Sequence, residues 1–247
     1  MKILILSFLL FLNYSQKNKE YQILNYSKKN TFSVLLFTET NGFIHRAGID
    51  AGINLIPKIG KKNGFNVYHS NVSKDINEEN LKKIKTIIFL NTTLDILNEQ
   101  EQQIMENFIK KGGGFVGIHS AADTEYEWEW YGNLVGAYFK SHPPVTTAEI
   151  QTINNKHIST KHLDDLWKIK DEWYNYKNIN PNITVLLNLD ESSYSGGTNG
   201  NPHPITWYHE YKGGKSFYTG LGHRSETYSD ERFIQLLTGG ILYVSNN

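Results

Sequence analysis

Phe108–Asp123 reads FIKKGGGFVGIHSAAD, and the order of residue types in it decides the architecture. Gly112, Gly113 and Gly114 stop a helix, since consecutive glycines favour the conformations that end one. Phe115–Ile118 (FVGI) is an apolar run of strand length without polar alternation, which suits a strand buried on both faces. It enters His119-Ser120 with no spacer. Upstream, Asn98 followed by Glu101 makes a capping-box start, and Leu97, Ile104, Met105, Phe108 and Ile109 recur at helical spacing. Before that helix stands another strand, Thr86–Thr92 (TIIFLNT). The first half repeats the unit. Ser33–Thr38 (SVLLFT) is a strand, Ala47–Lys62 a helix that Pro57 should bend or break, Gly64 a stop, and Phe65–His69 (FNVYH) a strand. Strands and helices alternating at this spacing predict right-handed crossovers and an α/β fold whose sheet is mostly parallel and flanked by helices.

Downstream the character changes. Thr146–Ile153 (TTAEIQTI) and Ile183–Leu189 (ITVLLNL) read as strands. Pro204–Tyr211 and Ser216–Leu221 flank Lys212-Gly213-Gly214-Lys215, which predicts a β-hairpin in the C-terminal half. Glu231–Val244 reads as a closing helix. No linker divides the chain, so residues 31–247 are expected to form one domain. At the other end, Met1-Lys2, the apolar run Ile3–Leu12 and a small residue at Ser15 predict a signal peptide over residues 1–16. The run is too short to span a bilayer. A polar, lysine-rich leader over residues 17–30 follows, and the expected destination is the periplasm or the exterior.

Composition excludes several function classes. Lys plus Arg number 25 and Asp plus Glu number 25, so no basic footprint for nucleic acid or an anionic membrane exists. The chain has no cysteine, which rules out disulfides, a lipid anchor on cysteine and thiol nucleophiles. The 15 Tyr and 5 Trp can fill a core or stack on sugars.

In open α/β sheets, ligands bind in the loops after the carboxyl ends of the strands. Three such loops carry a histidine: Thr38–Arg46 with His45, Gly117–Asp123 with His119, and Gly220–Arg224 with His223 beside Arg224. His142 precedes two prolines, and His203 lies between Pro202 and Pro204. The strand-to-turn passage Gly117-Ile118-His119 resembles a nucleophile elbow with an imidazole at the presented position. An imidazole there can act as general base, general acid or metal ligand near neutral pH. Ser120 reads as a helix cap before a nucleophile. Asp123 fits a substrate-hydroxyl ligand, an orienting group for His119, or a first-turn carboxylate. Asp171-Glu172-Trp173-Tyr174 offers a carboxylate and a sugar-stacking ring, or the edge of a core. Trp207 alternates with Ile205 and leans towards the core. His45, His119, His142 and His223 with Glu172 also supply donors for a divalent metal such as zinc, although no short-range His-x-x-x-His spacing is present.

Five segments together are similar to the ThuA-like trehalose-utilization family: FTETNGFIHRAGIDAG (37–52), FIKKGGGFVGIHSAAD (108–123), KSHPPV (140–145), DEWYNY (171–176) and HPITWYHEYKGGKSFYTGLGHRSETYSDERF (203–233). The similarity extends from about Ser33 to Val244 and rests on the order and spacing of the segments. It implies a flavodoxin-like, class I glutamine amidotransferase-like sheet lacking the amidotransferase cysteine, with His119 at the elbow in its place. It also implies disaccharide catabolism through 3-keto-sugar intermediates. The family's polar positions match His45, His119, His142, Glu172, Trp173, Tyr174, His203, Trp207, His223 and Arg224. The resulting expectation is an enzyme, a lyase, hydrolase or isomerase, acting on a small-molecule carbohydrate and not on glutamine. His119 would be the base, with His223, His45 and Glu172 completing the catalytic group. His223 and Arg224 would stabilise an oxyanion, and Glu172 with Trp173 would position the ring. Asp123, His142, Trp173, Tyr174, His203, Trp207 and Arg224 would bind substrate. The alternative is a non-catalytic carbohydrate-binding or accessory module. The expected export signal departs from cytoplasmic relatives and favours a periplasmic setting.

Overall fold

Fully apolar runs bounded by turn residues become the central strands, and a computed structural model describes residues 32–246. The expected signal peptide and leader lie outside the described residues. The elements are β1 (Phe32–Phe37), α1 (Arg46–Asn63), β2 (Phe65–Ser70), α2 (Glu78–Leu81), β3 (Thr86–Leu90), α3 (Glu99–Lys110), β4 (Gly114–Ile118), α4 (Glu129–Val135), β5 (Tyr138–Ser141), β6 (Thr146–Thr152), β7 (Leu166–Asp171), β8 (Asn175–Lys177), β9 (Thr184–Asp190), β10 (Pro204–Tyr211), β11 (Gly214–Thr219) and α5 (Glu231–Ser245).

Nine strands form one sheet in the order β2-β1-β3-β4-β11-β10-β9-β6-β7, and β5 pairs with β8 in a small ribbon. β2, β1, β3, β4 and β11 pair in parallel. From β11 to β10, β9, β6 and β7 every pairing is antiparallel. The expected mostly parallel sheet is therefore corrected to a mixed one. The reason lies in the connections: helical crossovers join strands only up to β4, whereas the tight Lys212-Gly213 turn can join only antiparallel neighbours. The C-terminal hairpin is present, and β11 then adds beside β4 to extend the parallel half.

Local signals explain the helices. α3 has its full capping box, Asn98 accepting from the Glu101 backbone and Glu101 reaching back to the Asn98 backbone. α1 ends at Gly64 in the left-handed region, at φ 78°. It runs on through Pro57, where a bend or break was expected, because Ile56, Pro57 and Ile59 are all buried and packing holds the turn across the missing hydrogen bond. Phe89 stacks on Tyr131 of α4 and Phe115 meets it edge to face, with ring centroids 5.7 and 5.8 Å away. Phe217 lies against Gly240 of α5 and pairs in register with Val116, the neighbour of Phe115. Adjacent residues point to opposite faces, so α4 and α5 cover the two sides of the sheet. Among the described residues, no helix is long and apolar enough to cross a membrane.

β1, β3, β4 and β11 run the same way, and four successive reversals return β7 to that direction. The carboxyl ends of all five strands therefore share one edge of the sheet.

Candidate active site

Loops from that edge converge. The loop after β1 is tied to the one after β3 by Asn41 N donating to Thr93 O (3.0 Å) and Gly42 N donating to Thr93 Oγ1 (3.1 Å). Together these bonds set His45 at the start of α1. Three residues on, Gly48 packs so tightly that a Cβ would overlap the Asn91 amide and the Gly222 carbonyl. Only a glycine lets the first turn of α1 approach the loop carrying His223.

His119 sits on the turn after β4 with φ 51°, left-handed backbone that a non-glycine residue adopts at a cost of about 1 kcal/mol. Tyr218 pins that turn by donating to the His119 carbonyl (2.7 Å). The turn continues as a short 3₁₀ segment, His119–Asp123. Asp171, wholly buried at the end of β7, organises the rest. It accepts from Glu172 N (2.9 Å), Gly222 N (2.9 Å), Arg224 N (3.3 Å) and Thr227 Oγ1 (2.8 Å). One carboxylate thereby locks Glu172 and the His223 loop together.

Three imidazoles surround Glu172 Oε2: His119 Nε2 at 3.2 Å, His223 Nδ1 at 3.2 Å and His45 Nε2 at 3.9 Å. One donor atom from each of His45, His119, Glu172 and His223 lies within 4.8 Å of all the others. The rings stand nearly at right angles, with interplanar angles of 82°, 87° and 75°. His119 Nδ1 donates to the Gly220 carbonyl (2.8 Å), and Ser120 Oγ meets His45 Nδ1 at 3.2 Å. Glu172 Oε1 faces outward to His142 Nδ1 at 3.2 Å. The His142 side chain is 42% exposed, so it stands at the mouth. Tyr174 forms a wall, its ring 4.2 Å from that of His119 and its hydroxyl 3.4 Å from His45 Nε2.

Electrostatics follow from this packing. Burial, reinforced by the neighbouring His119 and His223, pushes His45 down to about 3. Burial opposes ionisation of Glu172, but His119 and His223 outweigh it and hold the carboxylate well below its usual range. Contact with Glu172 raises His223 against the effect of burial. Burial raises Asp123, partly offset by the hydroxyl of Tyr126, which donates to it.

The expected residues thus divide. His45, His119, His142, Glu172, Tyr174 and His223 meet in one place. Trp173 is fully buried and donates its indole N–H to Thr146 O (2.9 Å). Trp207 is likewise buried and donates to Val135 O (2.8 Å). His203 is buried between Glu191 Oε1 (2.8 Å) and Tyr174 O (2.9 Å). These three serve as internal ties. Arg224 pairs with Glu226 in an exposed ion pair (2.5 Å). Ser120 is fully buried behind His45, which makes it an orienting partner in place of the expected helix cap. Sequence reasoning missed Phe43, 68% exposed, its ring 4.8 Å from that of His45. An apolar pair, Phe43-Ile44, in an exposed loop directly before a histidine was the available signal.

Comparisons with known proteins agree with this fold. The structure resembles the crystal structure of a ThuA-like protein from Bacteroides uniformis, at 26% identity and TM-score 0.77, covering 89% of this chain and 94% of that one. It also resembles a ThuA-like protein from Parabacteroides merdae, at 17% identity and TM-score 0.73, covering 87% and 90%. A likeness of fold alone extends to a β-galactosidase from Bacillus circulans, at 12% identity and TM-score 0.57, covering 87% of this chain and 30% of that one. Comparison with curated proteins gives no match. The family model described as ThuA, trehalose utilisation, matches residues 33–244, and the chain belongs to that family.

Proposed function

We propose that this chain is an enzyme acting on a carbonyl-bearing carbohydrate, of the 3-keto-glycoside class, at the imidazole–carboxylate centre. The observation that carries the reading is the convergence of His45, His119, Glu172 and His223, from four separate loops, within 4.8 Å. The family's link to trehalose utilisation supports a sugar substrate. A carbonyl at C3 acidifies the C2–H bond. A base removes that proton, the electron pair passes into the carbonyl as an enolate, and its return expels the C1 oxygen substituent, which takes up the proton.

His142 suits the proton-transfer role better than His119. It is half-exposed and within 3.2 Å of Glu172, whereas the free nitrogen of the fully buried His119 is aimed at Glu172. His223, whose charged form Glu172 favours, then gives the enolate oxygen its positive partner, and Phe43 offers the sugar an apolar face. The accessory-module reading loses support because Trp173 and Trp207 are inside the protein. Export, read from residues 1–16, belongs to the same proposal, and N-terminal sequencing of the mature chain checks it.

Incubation with 3-keto-glycosides and plain disaccharides, followed by mass spectrometry, tests the function. Turnover of the keto-sugars, lowered about 100-fold or more in His142→Ala, is the expected result. Saccharide binding by calorimetry with no product would instead establish an accessory module.

A further inference from the structure

We propose that His45, His119, Glu172 and His223 together bind a divalent cation of the zinc class. The proposal deepens the functional reading and rests on it only in giving the cation a substrate carbonyl to polarise.

Tautomers carry the argument. A carbonyl cannot donate, so the Gly220 oxygen fixes a proton on His119 Nδ1 and leaves Nε2 as a lone pair in the neutral ring. That Nε2 is fully buried, makes no hydrogen bond, and points at a carboxylate oxygen 3.2 Å away. His223 Nδ1 is buried without a hydrogen bond in the same relation to the same oxygen. The bare His119 nitrogen repels the carboxylate it is aimed at, neither ring closes a hydrogen bond to that oxygen, and a cation among them turns every contact attractive. Protonating one ring does not resolve this: the 3.2 Å contacts lack hydrogen-bond geometry, and the other imidazoles remain crowded around the same oxygen.

The spacing fits. A tetrahedral site with bonds of about 2.0–2.1 Å places its donors roughly 3.3 Å apart. The separations from Glu172 Oε2 are 3.2, 3.2 and 3.9 Å. Steeply inclined rings let three imidazoles crowd round one point without clashing. Outer partners match too. Gly220 O holds His119, Ser120 Oγ holds His45, and Asp171 fixes the backbone under Glu172 and His223. Three imidazoles with a single carboxylate favour zinc and its first-row neighbours over calcium or magnesium, which prefer oxygen donors.

Full-length protein, stripped with a strong chelator, is titrated with zinc chloride by calorimetry and with cobalt chloride by visible absorption. Uptake of about one equivalent is expected, with a cobalt spectrum of low coordination number. Glu172→Gln should weaken zinc binding at least about tenfold while circular dichroism stays unchanged. Ser120→Ala keeps every donor, so it provides the test if Glu172→Gln fails to fold, with a loss of about tenfold. Folded wild-type protein that takes up neither metal overturns the proposal. Full turnover of a keto-glycoside by stripped protein that still takes up zinc sustains the cation site, strikes out its carbonyl-polarising role and spares the functional reading. Tight zinc binding without turnover sustains the cation and sinks that reading.

Discussion

Asp171 does more for the site than any side chain that faces it. It receives bonds from the backbones of Glu172, Gly222 and Arg224 and from the Thr227 hydroxyl, all away from water. Asp171→Asn keeps the shape but turns an NH₂ group towards donors, so the folded state should lose about 2–3 kcal/mol in urea unfolding. His45 gives a pH signature in chelator-treated protein. The unfolded residue takes a proton near 6.5 and the folded one only near 3. Between those values the unfolded chain binds more protons, and stability falls as the pH falls. Glu172, held below its usual range, adds a loss of the same sign further into acid. His223, raised by Glu172, acts on the opposite side: its contribution is full below 6.5 and fades as pH rises through its folded value. Unfolding free energy should therefore drop by about 2–3 kcal/mol from pH 6.5 to 4.5 through His45. Denaturant melts of His45→Gln should be flatter across that window by close to one bound proton.

At the scale of elements, α1 and the loop before α5 touch at Gly48. Gly48→Ala would push the helix off Asn91 and Gly222, with an expected cost of about 1–3 kcal/mol by chemical denaturation and a displaced His223. The glycine run, the capping box and the apolar strand cores were all legible, so β1 to β4, α1, α3 and α5 were predicted with their ends close to those observed. β7 was not. Leu166–Asp171 (LWKIKD) is an edge strand with Lys168 and Lys170 among its residues, and such lysines blunt an edge while hiding its strand character. That unpredicted strand delivers Asp171 and Glu172 to the site. Strand direction was also hidden, since the buried run of β9 (TVLLNLD) reads the same whether its neighbours are parallel or antiparallel.

Across the whole molecule, the site draws His45 and His119 from the parallel half, Glu172 from the antiparallel half, and His223 from the loop after β11, where the two halves join. Histidines at strand ends were visible in the sequence, but which of them meet depends on the direction of β7 and the bonds of Asp171. Trp173 misled because an aromatic residue beside acids suits a sugar platform, whereas the core leaning of Trp207 held and only the resemblance placed it at the substrate; their indoles are tied to Thr146 O and Val135 O. The centre of the sheet should resist opening longest. Amide hydrogen exchange is expected to be slowest in β3, β4 and β11 and fastest in the edge strands β2 and β7. The left-handed backbone at residue 119 adds a tension between durability and activity. His119→Gly should outlast His119→Ala by about 1 kcal/mol in denaturant, since only glycine rests easily there. A heat-survival screen of random variants should therefore recover glycine at that position in sturdy but inactive clones.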